Sequence, residues 1–178
     1  MKKIIIDIDN TLWDFASAFS ERIKNISPDF PPLQEWHTFD FWKAYISPKQ
    51  FYSIIREIHM DQDLFSPYAQ AKLFLSLLKE EGFYIIIASH REKGTFDVTA
   101  RWLNQHSLMF DELHISHDKT ILFNECRAIV DDSPITLGKA AKAGLIAVGL
   151  RMPWNEQGNY TLCDDLTEVF QYLKKQPF

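Results

Sequence analysis

Ile4, Ile5 and Ile6 open the chain as an unbroken apolar run that stops on two carboxylates, Asp7 and Asp9, with Asn10-Thr11 as a turn. β-Branched residues without polar alternation suit a strand buried on both faces. The pattern returns at residues 83–88, ending on Ser89-His90-Arg91, and in a short run at 113–115 that leads to His117-Asp118-Lys119-Thr120. It returns again at 127–130, ending on Asp131-Asp132-Ser133-Pro134, and at 145–150, the last sheet strand expected, ahead of Arg151-Met152-Pro153-Trp154-Asn155. Between these runs the apolar positions switch to helical spacing. Ser66-Pro67 predicts a helix start, with Leu73, Phe74, Leu77 and Leu78 as the apolar stripe and Gly82 as the stop. Further helices are expected over 96–106 and from Pro134 to Gly144. A last one is expected from Asp165, where Glu168 makes a capping-box-like start for Leu166, Val169, Phe170 and Leu173.

Strands alternating with helices predict an α/β fold built on a doubly wound parallel sheet. One stretch breaks the alternation. After the first strand, the chain up to about Ser66 carries no strand signal. Phe15, Ala18, Phe19, Arg22 and Ile23 fit a helix, a polar Pro-marked loop covers 25–32, and Ser47-Pro48 starts a second helix running to about Ile58. Aromatics crowd between Trp36 and Tyr52, where Phe39, Phe41, Trp42, Tyr45 and Phe51 also fall. The expected organisation is a core of residues 1–12 and 67–178 with a small helical lobe, 13–66, inserted into it.

Composition narrows the function classes. At 178 residues the chain is long enough for one domain with a sizeable core, or one domain plus an inserted lobe. A net charge of -5 argues against a broad surface for long nucleic acid, though not against a local basic pocket. No apolar run has the length of a membrane span, and Asp7 and Asp9 interrupt any signal-peptide core, so a cytoplasmic location is expected. Cys126 and Cys163 have no metal-binding spacing and read as buried free thiols.

The chemistry sits where the strands stop. A parallel sheet brings those ends to one edge, the edge at which ligands bind in open α/β sheets. Asp7, Asp9, Asp131 and Asp132, with Ser89 and Lys119, would then surround one crevice. Two carboxylates about 5 Å apart repel by roughly 3 kcal/mol at an effective dielectric near 20. A cluster this anionic needs a cation, and oxygen ligands suit Mg²⁺. His114 and His117 fall on opposite faces of a strand and do not suggest a metal site. The segment from Arg151 to Asn155 lies at the same edge as a candidate loop contact.

D-I-D-N-T after the first strand, Ser89 after the second, Lys119 before the next and Asp131-Asp132 after a later one resemble the four motifs of the haloacid dehalogenase (HAD) superfamily of phosphatases. The inserted lobe resembles that superfamily's small helical cap. Within it, Trp13-Asp14-Phe15, Phe41-Trp42, Asp118-Lys119-Thr120 and Val130-Asp131-Asp132-Ser133-Pro134 resemble the 5'(3')-deoxyribonucleotidases. The resemblance implies that Asp7 is the nucleophile, forming an aspartyl-phosphate. Asp9 would protonate the leaving oxygen and then activate water. It implies Ser89 and Lys119 as phosphate ligands, and Mg²⁺ on the Asp7 side chain, the Asp9 carbonyl and Asp132, with Asp131 behind. Phe15, Phe41 and Trp42 read either as the lobe's own core or, with His90 and Arg91, as substrate contacts. The chain departs from the nucleotidase pattern at Ala88-Ser89, at His90 and at Asn10, where Thr-Ser, Pro and Gly are usual.

The function expected from these features is Mg²⁺-dependent hydrolysis of a phosphomonoester, with a nucleoside monophosphate as substrate. The alternatives are a phosphatase for another small ester or a nucleic-acid 3'-phosphate, and a non-catalytic phosphate- or Mg²⁺-binding protein on the same scaffold.

Overall fold

The computed structural model describes residues 2–178. Six strands form one sheet: β1 (Lys2–Ile6), β2 (Phe83–Ser89), β3 (Glu112–Ile115), β4 (Ala128–Val130), β5 (Ile146–Leu150) and β6 (Thr161–Cys163). Their spatial order is β3-β2-β1-β4-β5-β6, and every neighbouring pair is parallel. The order reverses between β1 and β4, which is the topological switch point of this architecture. Ile6 lies opposite Ile87 of β2 and Val130 of β4, so Asp7 and Asp131 leave the sheet side by side. The Asp7 amide donates to the Val130 carbonyl at 2.9 Å.

Side-chain alternation sets the two cores. Ile4 and Ile6 face the larger one, with Phe74, Leu75 and Leu78 of α3 (Ala71–Glu80) and Val169, Phe170 and Leu173 of α6 (Leu166–Lys174). Trp102 and Leu103 of α4 (Phe96–Gln105) join them. Ile5 faces the other, with Ile86, Ile129 and Leu137 and Ala140 of α5 (Pro134–Lys142). Both faces of β1 are buried, which is why its three isoleucines need no polar alternation.

Between β1 and α3 the chain forms a helical insertion. Asp14 caps α1 (Phe15–Lys24) by accepting from the Ser17 amide, and Ser47 with Gln50 closes a capping box at α2 (Pro48–Met60). Short 3₁₀ turns at Leu33–Glu35 and Phe41–Ala44 join them. Helices this short bury little aliphatic surface, and aromatic rings fill the space instead. Trp42 stacks on Phe51 at 3.8 Å between centroids, Trp36 on Phe41 at 4.6 Å, and Phe19 meets Phe30, Trp36 and Phe51 edge to face.

Two expectations need correction. Ser66-Pro67 does not start α3, which begins at Ala71. The Tyr68 amide instead donates to the Leu12 carbonyl at 2.8 Å, holding the chain beside the β1 exit for one more turn. As a result α3 buries Ala71, Phe74, Leu75 and Leu78, while Leu73 is 60% exposed. A sixth strand, β6, extends the sheet past the one expected to be last. Three residues bounded by turns are too few to show a period. Among the described residues no helix is long and apolar enough to cross a membrane.

Gly149 is where β5 passes closest to the functional edge. A Cβ there would lie 2.2 Å from the Asp131 carbonyl oxygen, a backbone atom that cannot swing aside. Gly149→Ala is expected to cost about 3 kcal/mol in urea denaturation; a loss under about 1 kcal/mol would show that the β4–β5 junction tolerates a shift.

Candidate functional site

Asp7 follows β1, Asp131 and Asp132 follow β4, and Lys119 follows the β3 loop; all four are buried. The Lys119 ammonium bridges two of the acids, at 2.5 Å from Asp7 Oδ1 and 2.7 Å from Asp131 Oδ2. Asp131 Oδ1 accepts from the Ser133 amide at 2.8 Å, so both its oxygens are engaged. Asp132 Oδ2 accepts from Asn10 Nδ2 at 3.0 Å. Among the described residues nothing hydrogen-bonds Asp7 Oδ2 or Asp132 Oδ1.

Burial, then the charges of Asp131 and Asp9, push the Asp7 carboxyl up to about 7, against the pull of Lys119. Asp132 is raised well above the usual carboxylate range by burial and by Asp131 and Asp7. Burial works against the Lys119 charge, but Asp131 and Asp7 outweigh it and raise its pKa. Three carboxylates against one ammonium leave two negative charges uncompensated, and an oxygen of each acid lies within 4.8 Å of the others. A divalent cation fits this set in charge and in donor chemistry, with Asp7 Oδ2 and Asp132 Oδ1 the available oxygens.

Two asparagines hold these acids in place. Asn10 adopts a left-handed φ of 55°, a conformation asparagine tolerates better than most residues. Its Oδ1 accepts from the Ala16 amide at 2.8 Å, tying the turn to α1 while Nδ2 reaches Asp132. Asn155 is fully buried. Its Nδ2 donates to the Asp132 carbonyl at 3.0 Å and the Leu150 carbonyl at 2.9 Å, and its Oδ1 accepts from the Met152 amide. The adjacent Trp154 packs on Trp36 of the insertion at 6.1 Å.

Asp9 belongs to a second, adjoining network. Its Oδ1 accepts from Trp13 Nε1 at 2.9 Å and from the Arg91 guanidinium. Oδ2 meets His59 Nε2 at 3.0 Å, Arg91 Nε at 3.2 Å and Ser89 Oγ at 3.4 Å. Burial raises the Asp9 pKa, but Arg91 and His59 outweigh it and hold the carboxylate well below its usual range. His59 is lowered by burial and by Arg91, against the pull of Asp9. Beside the ionised Asp9 carboxylate, Nε2 is the ring nitrogen that carries a proton.

The remaining expected residues are distributed unevenly. Ser89 is fully buried at the end of β2, its hydroxyl accepting from Arg91 Nε at 3.1 Å. Arg91, expected as a substrate contact, is turned inward instead: it pairs with Asp9, donates to Thr99 Oγ1 at 3.0 Å and has no exposed side-chain surface. Phe41 and Trp42 pack inside the insertion, with the Trp42 face already covered by Phe51. Phe15 is half-buried against Trp13 and His59. His90 is exposed at the rim, its ring 5.0 Å from that of His117. Cys126 and Cys163 are free and buried.

Sequence reasoning passed over His59 and reached Asn155 only as the end of a candidate loop contact. His59 follows Ile55 by one helical turn, beside Ile54 and Ile58 on the inward face of α2, and a polar residue in such a stripe is a signal. Asn155 had no comparable signal, since a loop asparagine is ordinary.

No protein-family model matches the chain, and no curated protein does. Solved structures do. A crystal structure of a "predicted phosphatase" from Clostridium acetobutylicum is similar over 98% of this chain and 99% of its own, at TM-score 0.68 and 16% identity. A HAD family hydrolase from Deinococcus radiodurans R1, with bound phosphate and sodium, is similar over 98% and 96%, at TM-score 0.69 and 14% identity. An L-2-haloacid dehalogenase from Xanthobacter autotrophicus is similar over 99% and 100%, at TM-score 0.62 and 12% identity. At such identities the likeness is one of architecture, and the chain has the α/β fold of the HAD phosphatases and dehalogenases.

Proposed function

We propose that this protein is a Mg²⁺-dependent phosphomonoesterase that works through an aspartyl-phosphate on Asp7, with nucleoside monophosphates as the substrate class. The observation that carries the reading is the meeting of Asp7, Lys119, Asp131 and Asp132 at the switch point of a HAD-type sheet. Asp7 keeps one oxygen on Lys119 and one without a partner, which suits a carboxylate that must bind a cation and attack phosphorus. Asp7 and Asp132, with the Asp9 carbonyl that the resemblance implies, would hold Mg²⁺, which would supply charge neutralisation for two anions that otherwise repel.

In the proposed reaction an Asp7 oxygen forms the bond to phosphorus as the ester oxygen departs. Lys119 and the Ser89 hydroxyl face the phosphoryl oxygens, and the leaving oxygen takes from Asp9 the proton that the ester monoanion brings to this carboxylate. Water then attacks the phosphoryl group, giving its proton to Asp9 and returning Asp7 as a free carboxylate. In the resting arrangement Asp9 is ionised and surrounded by donors, the form that takes a proton from water. The insertion, residues 13–66, acts as a cap that excludes water from the crevice. Nucleoside monophosphates follow from the nucleotidase-like motifs around Trp13, Phe41, Lys119 and Asp131. With Phe41 and Trp42 packed in the cap, Phe15 is the one of the three expected aromatic contacts that lies beside the Asp9 network, its ring 5.5 Å from that of His59.

Phosphate release from a panel of nucleoside monophosphates and sugar phosphates, with and without chelator, tests this directly. Activity is expected on nucleotides, to vanish with chelator, and to fall at least about a thousandfold in Asp7→Asn. Turnover within tenfold of wild type in Asp7→Asn contradicts the nucleophile assignment. Turnover of sugar phosphates alone contradicts the substrate class.

Cation binding should depend on pH in a defined sense. The Asp7 carboxyl lies at about 7 in the metal-free fold and near 3.8 unfolded, so its stabilising contribution is full at low pH and is lost as pH rises through 7. Asp132 acts in the same direction. Mg²⁺ binds the ionised carboxylates, so the rise in Tm on adding it should be larger at about pH 8 than at about pH 5.5. An equal rise at both pH values would place the bound ion elsewhere.

A further inference from the structure

His59 is the one donor on the Asp9 carboxylate that comes from the insertion's second helix. It ends the inward stripe of α2, is 2% exposed, and rests its ring against Phe15 at 5.5 Å. The other donors come from the loop after β1 and the end of β2. Trp13 lies four residues from Asp9, and Arg91 is fixed from behind by Ser89 and Thr99. Among the described residues, the remaining polar tie from α2 to the core, Arg56 to Glu92 at 3.0 Å, is exposed on both sides and contributes little. The buried bond from His59 to Asp9 is therefore the polar link through which the position of α2 reaches the reaction centre.

We propose that His59 is a positioning residue: it fixes the orientation of the Asp9 carboxylate and makes that orientation conditional on the docking of α2. This rests on the phosphatase reading above and adds to it a coupling between cap and proton transfer. A carboxylate turns about its terminal torsion more freely as the donors on either oxygen become fewer and longer, and His59 is the shortest contact on Oδ2. With Nε2 removed, Oδ2 keeps only the longer contacts to Arg91 Nε and Ser89 Oγ, at 3.2 and 3.4 Å. Asp7, Lys119 and the cation-binding oxygens are not touched by this loss. Substrate binding should stay as it is while the proton-transfer steps slow.

The test uses two variants of the full chain. His59→Phe keeps a ring against Phe15 and removes the donor; His59→Gln returns an N–H near the Nε2 position. His59→Phe should lower kcat at least about tenfold while KM stays within about threefold, and His59→Gln should recover most of the loss. Binding of trifluoroberyllate with Mg²⁺, read by fluorine NMR, should match wild type in both. The proposal is overturned if His59→Phe keeps kcat within twofold, if KM changes as much as kcat, or if Gln does no better than Phe. Should wild-type protein hydrolyse no phosphate ester, the phosphatase reading fails by itself. The link is then decided by the ¹⁵N resonance of His59 Nε2: a difference between wild type and Asp9→Asn upholds it, and an unchanged resonance overturns it.

Discussion

One ammonium group, Lys119 Nζ, stands between the carboxylates of Asp7 and Asp131 in the protein interior. Like charges buried together separate or take up protons unless a counter-charge holds them. Breaking a buried ion pair by removing one partner costs about 3–5 kcal/mol, because the other charge stays behind. Lys119 thus does two things at once. It lets two strand ends carry acids side by side, and it leaves the cluster short of two positive charges, a deficit that a divalent cation would fill.

The scaffold delivers those acids to one point by ordinary means. Isoleucines on both faces of β1 lock it at the centre of the sheet, and parallel pairing with β4 sets Asp7 beside Asp131. Gly149 allows β5 to pass close behind Asp131, and Asn155 grips the Asp132 carbonyl. The insertion then closes on the site from two sides. Trp36 meets Trp154 next to Asn155, and His59 meets Asp9. The first ends beside the asparagine that holds Asp132 and the second on an acid itself, so the seat of the insertion and the order of the site are linked through packing and through one buried hydrogen bond.

The parts that were legible in the sequence are those set by local pattern. Apolar runs marked five strands, and the residues following them marked the edge where Asp7, Lys119, Asp131 and Asp132 gather, with Ser89 in the adjoining Asp9 network. The Ser47-Pro48 start of α2 was legible because both halves of its capping box lie within three residues. The parts that were not legible depend on partners far along the chain. Ser66-Pro67 looks like a helix start until Leu12 claims the Tyr68 amide. Arg91 reads as a substrate contact until Asp9, 82 residues earlier, turns it inward. His59 lies 50 residues from Asp9, and no periodicity connects a helix end to a turn acid.

In the proposed reaction everything turns on the Asp7 carboxylate itself taking the phosphoryl group. Acid-quenching the protein during turnover of a nucleoside monophosphate, then mapping the adduct by peptide mass spectrometry, tests it most directly. The account predicts the mass of one phosphoryl group on the peptide carrying Asp7, lost on treatment with hydroxylamine and absent from Asp7→Asn. A phosphoryl group on any other residue, or the same adduct in Asp7→Asn, would contradict it.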